Sequence, residues 1–221
     1  MSMPDSRPFL RARCPHCHRA LRTCICALAQ TVSHEAEALI LMHPLEVHEA
    51  KGTGHLLHLC LPHSRVLVGE QWPAEALHEA LHGDWARPGQ ASARHSLLLY
   101  PETDSQDAAL GLQAAAPLPQ PWPWAARQLR LVVIDGTWRK SRKMLYLNPA
   151  LQALPRLPLH DVPASGYAIR KAQQPGQLST FEAAALALTQ LEGWSQAGPP
   201  AQALARVFAS FVASRMRRPA H

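Results

Sequence analysis

Short apolar runs alternate with segments of helical period along most of this chain. Ala38 to Met42 is an apolar run stopped by His43-Pro44, because proline has no N–H with which to continue a ladder. Arg65 to Val68 and Ser96 to Tyr100 are further strand-like runs, the second closed by Pro101. Leu131-Val132-Val133-Ile134 is apolar throughout and rich in β-branched residues, as a buried strand requires. Between these runs the spacing predicts helices over Thr53 to Leu61 and over Pro73 to His82, the latter with proline in its first turn. A helix is predicted after Asp135-Gly136-Thr137, and another where the capping box Ser179-Thr180-Phe181-Glu182 precedes Ala183 to Leu191. Tyr167 to Arg170 reads as a last short strand. Leu204, Val207, Phe208, Phe211, Val212 and Met216 share one helical face, which predicts a final helix packed back on the sheet. Leu112 to Pro123, rich in Ala, Pro and Gln, reads as the centre of a surface connection (106–126) with no core content. Such alternation argues for an α/β fold with a mainly parallel sheet.

Length and charge narrow the class. At 221 residues the chain can bury a full core, and we divide it into an N-terminal segment (1–32) and a main domain (33–221). Twenty-two Lys and Arg against 16 Asp and Glu give a formal charge of +6, which suits an anionic partner such as nucleic acid. No apolar run is long enough to cross a membrane, and Pro4, Asp5 and Pro8 interrupt the region where a signal peptide needs apolar residues. The expectation is a soluble, cytoplasmic protein without a membrane partner.

Four of the five cysteines, Cys14, Cys17, Cys24 and Cys26, form a C-x2-C-x6-C-x-C cluster. Four thiolates at this spacing can converge on one tetrahedral Zn(II), and a closed four-sulfur shell is structural, with no open position for catalysis. Cys60 lies in an apolar helical pattern and reads as a small core residue. His55, His58 and His63 around it read as surface or partly buried histidines without metal.

The junction at Asp135-Gly136-Thr137-Trp138 carries the most chemistry. A buried strand ending in an acid and a glycine, then a threonine able to cap a helix, delivers one carboxylate to the mouth of a parallel sheet, where ligands of open α/β sheets bind. Arg139, Arg142 and Lys143 follow on one helical face, and beside this motif we read them as phosphate contacts. Trp138 fits either a core position or a platform for a base.

The same motif, the cysteine cluster, Leu41-Met42-His43-Pro44 with Glu46 and Thr53-Gly54, Leu99-Tyr100-Pro101, and Arg170-Lys171 with Leu178-Ser179-Thr180-Phe181-Glu182-Ala183 together resemble the DTW-domain family, in order and from about Arg13 to about Leu191. The resemblance implies a tRNA-uridine aminocarboxypropyltransferase with a SPOUT-like fold, helices on both faces of the sheet and a C-terminal trefoil knot. It implies S-adenosylmethionine as co-substrate, held by loops at Tyr100-Pro101, at Ile134 and Gly136 to Trp138, and at Leu178-Ser179-Thr180 with Glu182 and Arg170. It also implies tRNA as partner, with Lys171 among its contacts.

The chemistry fits these residues. Alkylating a uracil imide nitrogen requires loss of a weakly acidic proton, and Asp135 is the candidate to accept it or to orient the base. The carboxylate of the transferred arm needs donors, which the amides at the start of the Ser179-Thr180 helix, the Ser179 hydroxyl and Arg170 or Lys171 can supply. Helix capping accounts for Ser179 and Glu182 equally well. Two alternatives stay open: an RNA methyltransferase on the same fold, and a zinc-dependent RNA-binding protein without catalysis. The sequence leaves monomer and homodimer open as well.

Overall fold

The computed structural model describes residues 12–102, 108–109, 111–119, 122–167 and 178–216. Five strands are described: β1 (Glu37–Met42), β2 (Ser64–Val68), β3 (His95–Leu99), β4 (Leu129–Asp135) and β5 (Arg156–Leu157). They form one sheet in the order β2-β1-β4-β3-β5, with every pairing parallel. Helices α1 (Gly54–Cys60), α2 (Ala74–His82), α3 (Trp138–Leu147), α4 (Pro149–Gln152), α5 (Thr180–Leu191) and α6 (Pro199–Met216) cover both faces.

The central strands are apolar on both sides because each face has its own core. Ala38, Ile40, Met42, Leu131 and Val133 point to the side of α1, α5 and α6, where they meet Leu56, Leu57, Phe181, Leu188 and Phe211. Alternating with them, Leu39, Leu41, Val132 and Ile134 face α2, α3 and α4 through Leu77, Leu81, Met144 and Leu151. The sheet also sets where a ligand can enter. From β1 the chain continues to the adjacent β2 on one side, and from β4 it crosses β3 to reach β5 on the other. The neighbouring ends of β1 and β4 therefore flank a crevice at the carboxyl edge of the sheet.

Several sequence expectations change. The connection carries core content after all: Leu112 is buried on the α2 side and Leu118 packs against the other core, because so large a sheet leaves apolar edges that a passing loop can cover. Arg156–Leu157 is a strand the periodicity missed, since two residues between prolines show no period. Tyr167 is not in a strand, and residues 168–170 of that expected strand lie outside the described residues. Helix α6 rests chiefly on α5 and on the turn at Cys26–Leu28, with α5 lying against β4 and β3. Its last apolar residue, Met216, is 64% exposed, one turn beyond the buried Val212. The C-terminal trefoil knot implied by the resemblance is not settled by the described residues, which omit 168–177. No described helix is long and apolar enough to cross a membrane.

Candidate active site at the carboxyl edge of the sheet

Asp135 ends β4 at the crevice and is 3% exposed. Its Oδ1 accepts a hydrogen bond from the Thr180 hydroxyl at 2.7 Å, and its backbone carbonyl accepts one from His43 N at 3.0 Å. The carboxylate lies directly on the backbone of Gly54. A Cβ built there would stand 2.7 Å from Asp135 Cγ and 2.9 Å from Met42 Cε, so only glycine admits the carboxylate in this position. Three segments far apart in sequence thus fix one acid: the end of β1, the start of α1 and the start of α5.

The first turn of α5 is held by the protein's own groups. Ser179 Oγ accepts from Glu182 N, and Glu182 Oε2 accepts from Ser179 N at 2.8 Å, completing the capping box. Glu182 also accepts from Gly166 N and the Ser165 hydroxyl, tying the chain after β5 to α5. Thr53, buried just before α1, accepts from Phe181 N at 3.2 Å, so it caps α5 in place of its own helix. These bonds commit the Ser179 and Glu182 side chains to organising the loop. Leu178 is half-buried beside them.

On the β1 side, His43 Nδ1 accepts from Leu45 N, which leaves the proton of the neutral ring on Nε2, 3.1 Å from Glu70 Oε1. Lys143 donates to the other Glu70 oxygen at 2.8 Å, and first Lys143, then His43, hold that carboxyl below the usual range. Lys140 pairs with the buried Glu46 at 2.7 Å. Arg139 is exposed and Arg142 half-buried on the same helix. Thr137 caps α3 by accepting from Lys140 N, and Gly136 lets the chain pass the Lys140 side chain, where a Cβ would come within 3.2 Å. Ile134 packs into the core on the α3 side. Trp138 is 48% exposed, which removes the core reading. It stands at the site mouth with the edge of its ring on Tyr100, the centroids 5.8 Å apart.

Beyond Tyr100 lies a cleft of about 480 Å³, lined by Glu102 after β3, Ala114 to Leu118 of the connection, and Arg156, Pro158 and His160 of β5 and its exit. Its size is that of a site for a small ligand. Asp135 is not among its walls. Tyr100 joins the two places, since Arg156 stacks on its ring at 5.2 Å while Trp138 touches it from the other side. The Pro101 carbonyl accepts from Arg156 Nη1 at 3.1 Å. Arg170 and Lys171 lie outside the described residues.

The four N-terminal cysteines come together as their spacing predicts, with all sulfurs within 4.8 Å of one another. Cys14 and Cys26 are 3.6 Å apart and Cys17 and Cys24 3.7 Å, close to the edge of about 3.8 Å that four sulfurs have around a metal with bonds of about 2.3 Å. Backbone amides of Cys17 and then His16 bring the Cys14 thiol down to about 6, while burial pushes the Cys26 thiol up. Between the cysteine pairs, Arg19 is 3% exposed and donates to the Ala50 and Gly52 carbonyls, both at 2.5 Å. Tyr167 donates to the Lys51 carbonyl between them. The knuckle thereby grips the loop that ends in Thr53 and Gly54. Cys60 is a buried core residue, His58 bonds Ser64, and His55 packs beside His18.

The DTW domain family matches over residues 11–216. The chain belongs to the DTW-domain family. Two curated relatives are both named tRNA-uridine aminocarboxypropyltransferase 2. The protein from Drosophila melanogaster is 32% identical over 84% of this chain and 68% of its own length. That from Macaca fascicularis is 27% identical over 82% of this chain. This DTW-domain chain spans only 57% of the second relative's length, and no solved structure matches it significantly.

The sequence by itself gives no role to His43, Glu70, Thr53 or Arg156. The first had a signal, a polar residue closing an apolar strand. Arg156 had none, because its importance lies in what surrounds it.

Proposed function

We propose that this DTW-domain protein transfers the 3-amino-3-carboxypropyl group of S-adenosylmethionine to a ring nitrogen of a uridine in tRNA. The observation that supports this best is the setting of Asp135: a buried carboxylate at the sheet's switch point, held by Thr180 and Gly54 at the same edge where a cleft of ligand size lies beyond Tyr100. The names of the relatives give the substrate class. In the reaction the uridine N–H loses its proton, the nitrogen bonds to the arm's terminal methylene, and the carbon–sulfur bond breaks with its electrons going to sulfur. Methylthioadenosine is released.

Asp135 orients the uracil imide and takes up its proton, while its negative charge attracts the sulfonium. The co-substrate occupies the loops at Tyr100-Pro101, Gly136 to Trp138 and Leu178 to Thr180, with the exposed Trp138 ring available to stack on a base. Arg139, Arg142 and Lys143, the last of them paired with Glu70, bring positive charge to the mouth to meet phosphates. The cysteine knuckle binds one structural zinc, for which its sulfur spacing is suited.

Byproduct analysis tests the reading. Purified protein with S-adenosylmethionine and tRNA is expected to release methylthioadenosine and to leave an amino acid side chain on uridine. Release of S-adenosylhomocysteine would instead make it a methyltransferase, and neither product with retained tRNA binding would make it a binding protein.

A further inference from the structure

Arg156 has a chemistry that the fold does not use. It sits on β5 and is 4% exposed, and its Nη1 donates to the Pro101 carbonyl while its face lies on Tyr100. Among the described residues, its Nε and Nη2 have no hydrogen-bond partner. These two N–H groups form one edge of the guanidinium, the fork that takes both oxygens of a carboxylate or phosphate in parallel bonds. A covered cation with its fork unpaired is costly, and an anion arriving there would relieve the cost. The same residue lines the cleft, whose other charged wall is the carboxylate of Glu102.

Those walls select among anions. A cleft walled by an arginine whose fork is unpaired at one place and by a carboxylate at another complements a zwitterion, an α-carboxylate with its α-ammonium. A tRNA phosphate carries no cation for Glu102 to meet, and a folded RNA meets exposed cations more readily than one so nearly covered. We infer that Arg156 binds the α-carboxylate of the aminocarboxypropyl arm, with Glu102 on the side of its ammonium. The inference rests on the co-substrate proposed above, and it transfers the carboxylate from the α5 amides to β5. Ser179 and Glu182, each accepting from the other's backbone N–H, with Glu182 also accepting from residues 165 and 166, are left to shape the loop.

Calorimetric titration of the full chain with S-adenosylmethionine and with its decarboxylated form, which lacks only the carboxylate, isolates the contact. The natural protein is expected to prefer S-adenosylmethionine by roughly thirtyfold to a hundredfold, the scale of a charge-assisted bidentate pair. Arg156→Met should bind the two ligands about equally, at the affinity the natural protein shows for the decarboxylated one. Its tRNA affinity at fixed salt should stay within about twofold. Should the Met variant not fold, Arg156→Lys, which keeps the charge and loses the fork, should show a reduced preference. A variant that keeps the full preference overturns the assignment. Loss of tRNA affinity with the preference intact also overturns it and makes the fork a phosphate site. If the natural protein binds neither ligand, the co-substrate itself is wrong, an outcome distinct from either of these.

Discussion

Two buried arginines stand at opposite ends of the sheet and have opposite fates. Arg130, at the start of β4, is fully buried: its Nε donates to Glu37, its other nitrogens to the Ala80 and Gly83 carbonyls, and its face lies on Trp85. Arg156 is nearly as deep, yet only one of its nitrogens has a partner among the described residues. The difference separates a charge that the fold closes on itself from one that it leaves short of partners. At the amino edge the charge of Arg130 is closed within the protein, while at the carboxyl edge the fork of Arg156 stays without a hydrogen-bond partner among the described residues.

The largest perturbation acts on the element that braces the carboxyl edge. Metal ligation of this kind supplies on the order of 10 kcal/mol to local folding. The natural chain is therefore expected to carry one zinc by elemental analysis, and Cys17→Ser to lack it and become open to protease near the knuckle, while the sheet keeps its circular dichroism. Activity should fall with it, because Arg19 would no longer hold the loop before Thr53 and Gly54. Zinc-free natural protein of full activity would break this link between knuckle and site.

Arg130→Met and Arg156→Met set the two edges directly against each other. The first strands Glu37, which keeps Arg94 but loses its closest partner, and should cost about 3 kcal/mol in chemical denaturation. The second removes a charge that is already underpaired, and its stability should stay within about 1 kcal/mol of the natural chain. Equal losses would erase the distinction.

Gly54→Ala sharpens the account of the carboxyl edge alone. The added Cβ must push the Asp135 carboxylate or shift α1, so turnover should drop about a hundredfold for a stability loss of about 1–3 kcal/mol. Unchanged turnover would show that the position of the carboxylate is not critical.

The smallest effect lies near the amino edge. Burial lowers the pKa of His34, whose Nδ1 lies 2.7 Å from the Ala36 carbonyl and whose Nε2 accepts from His63 N. A folded pKa below the unfolded value of about 6.5 gives stability that is present above that pH and lost as pH falls through the folded pKa. The melting temperature should decline as pH falls below about 6.5, and His34→Gln should flatten the decline. An identical pH slope in the variant would refute the role of this histidine.

How much of this was legible in the sequence follows the range of the interactions. The convergence of the four cysteines was legible because they lie within thirteen residues and spacing alone brings them together. Strands β1 to β4 and most helices were legible from apolar runs, and Ser179 with Glu182 from the capping pattern. Asp135 was legible because an acid ending a buried strand contradicts its surroundings. What could not be read were roles set by distant partners: Gly54 against Asp135, Thr53 capping a helix 127 positions later, and Arg19 holding the Ala50–Gly52 turn. Trp138 illustrates the limit in the other direction. Its size suggests burial, yet it begins a helix at the sheet edge, where the fold leaves one face open.

The central claim is that the carboxyl edge presents Asp135 for chemistry. Asp135→Asn keeps the shape of the side chain and removes its charge, so its single-turnover rate with tRNA and its affinity for S-adenosylmethionine, measured side by side, test the claim most directly. The account predicts affinity within about tenfold of the natural protein and a rate at least about a hundredfold lower. A near-normal rate in the Asn variant would make Asp135 a structural turn residue and would contradict the account.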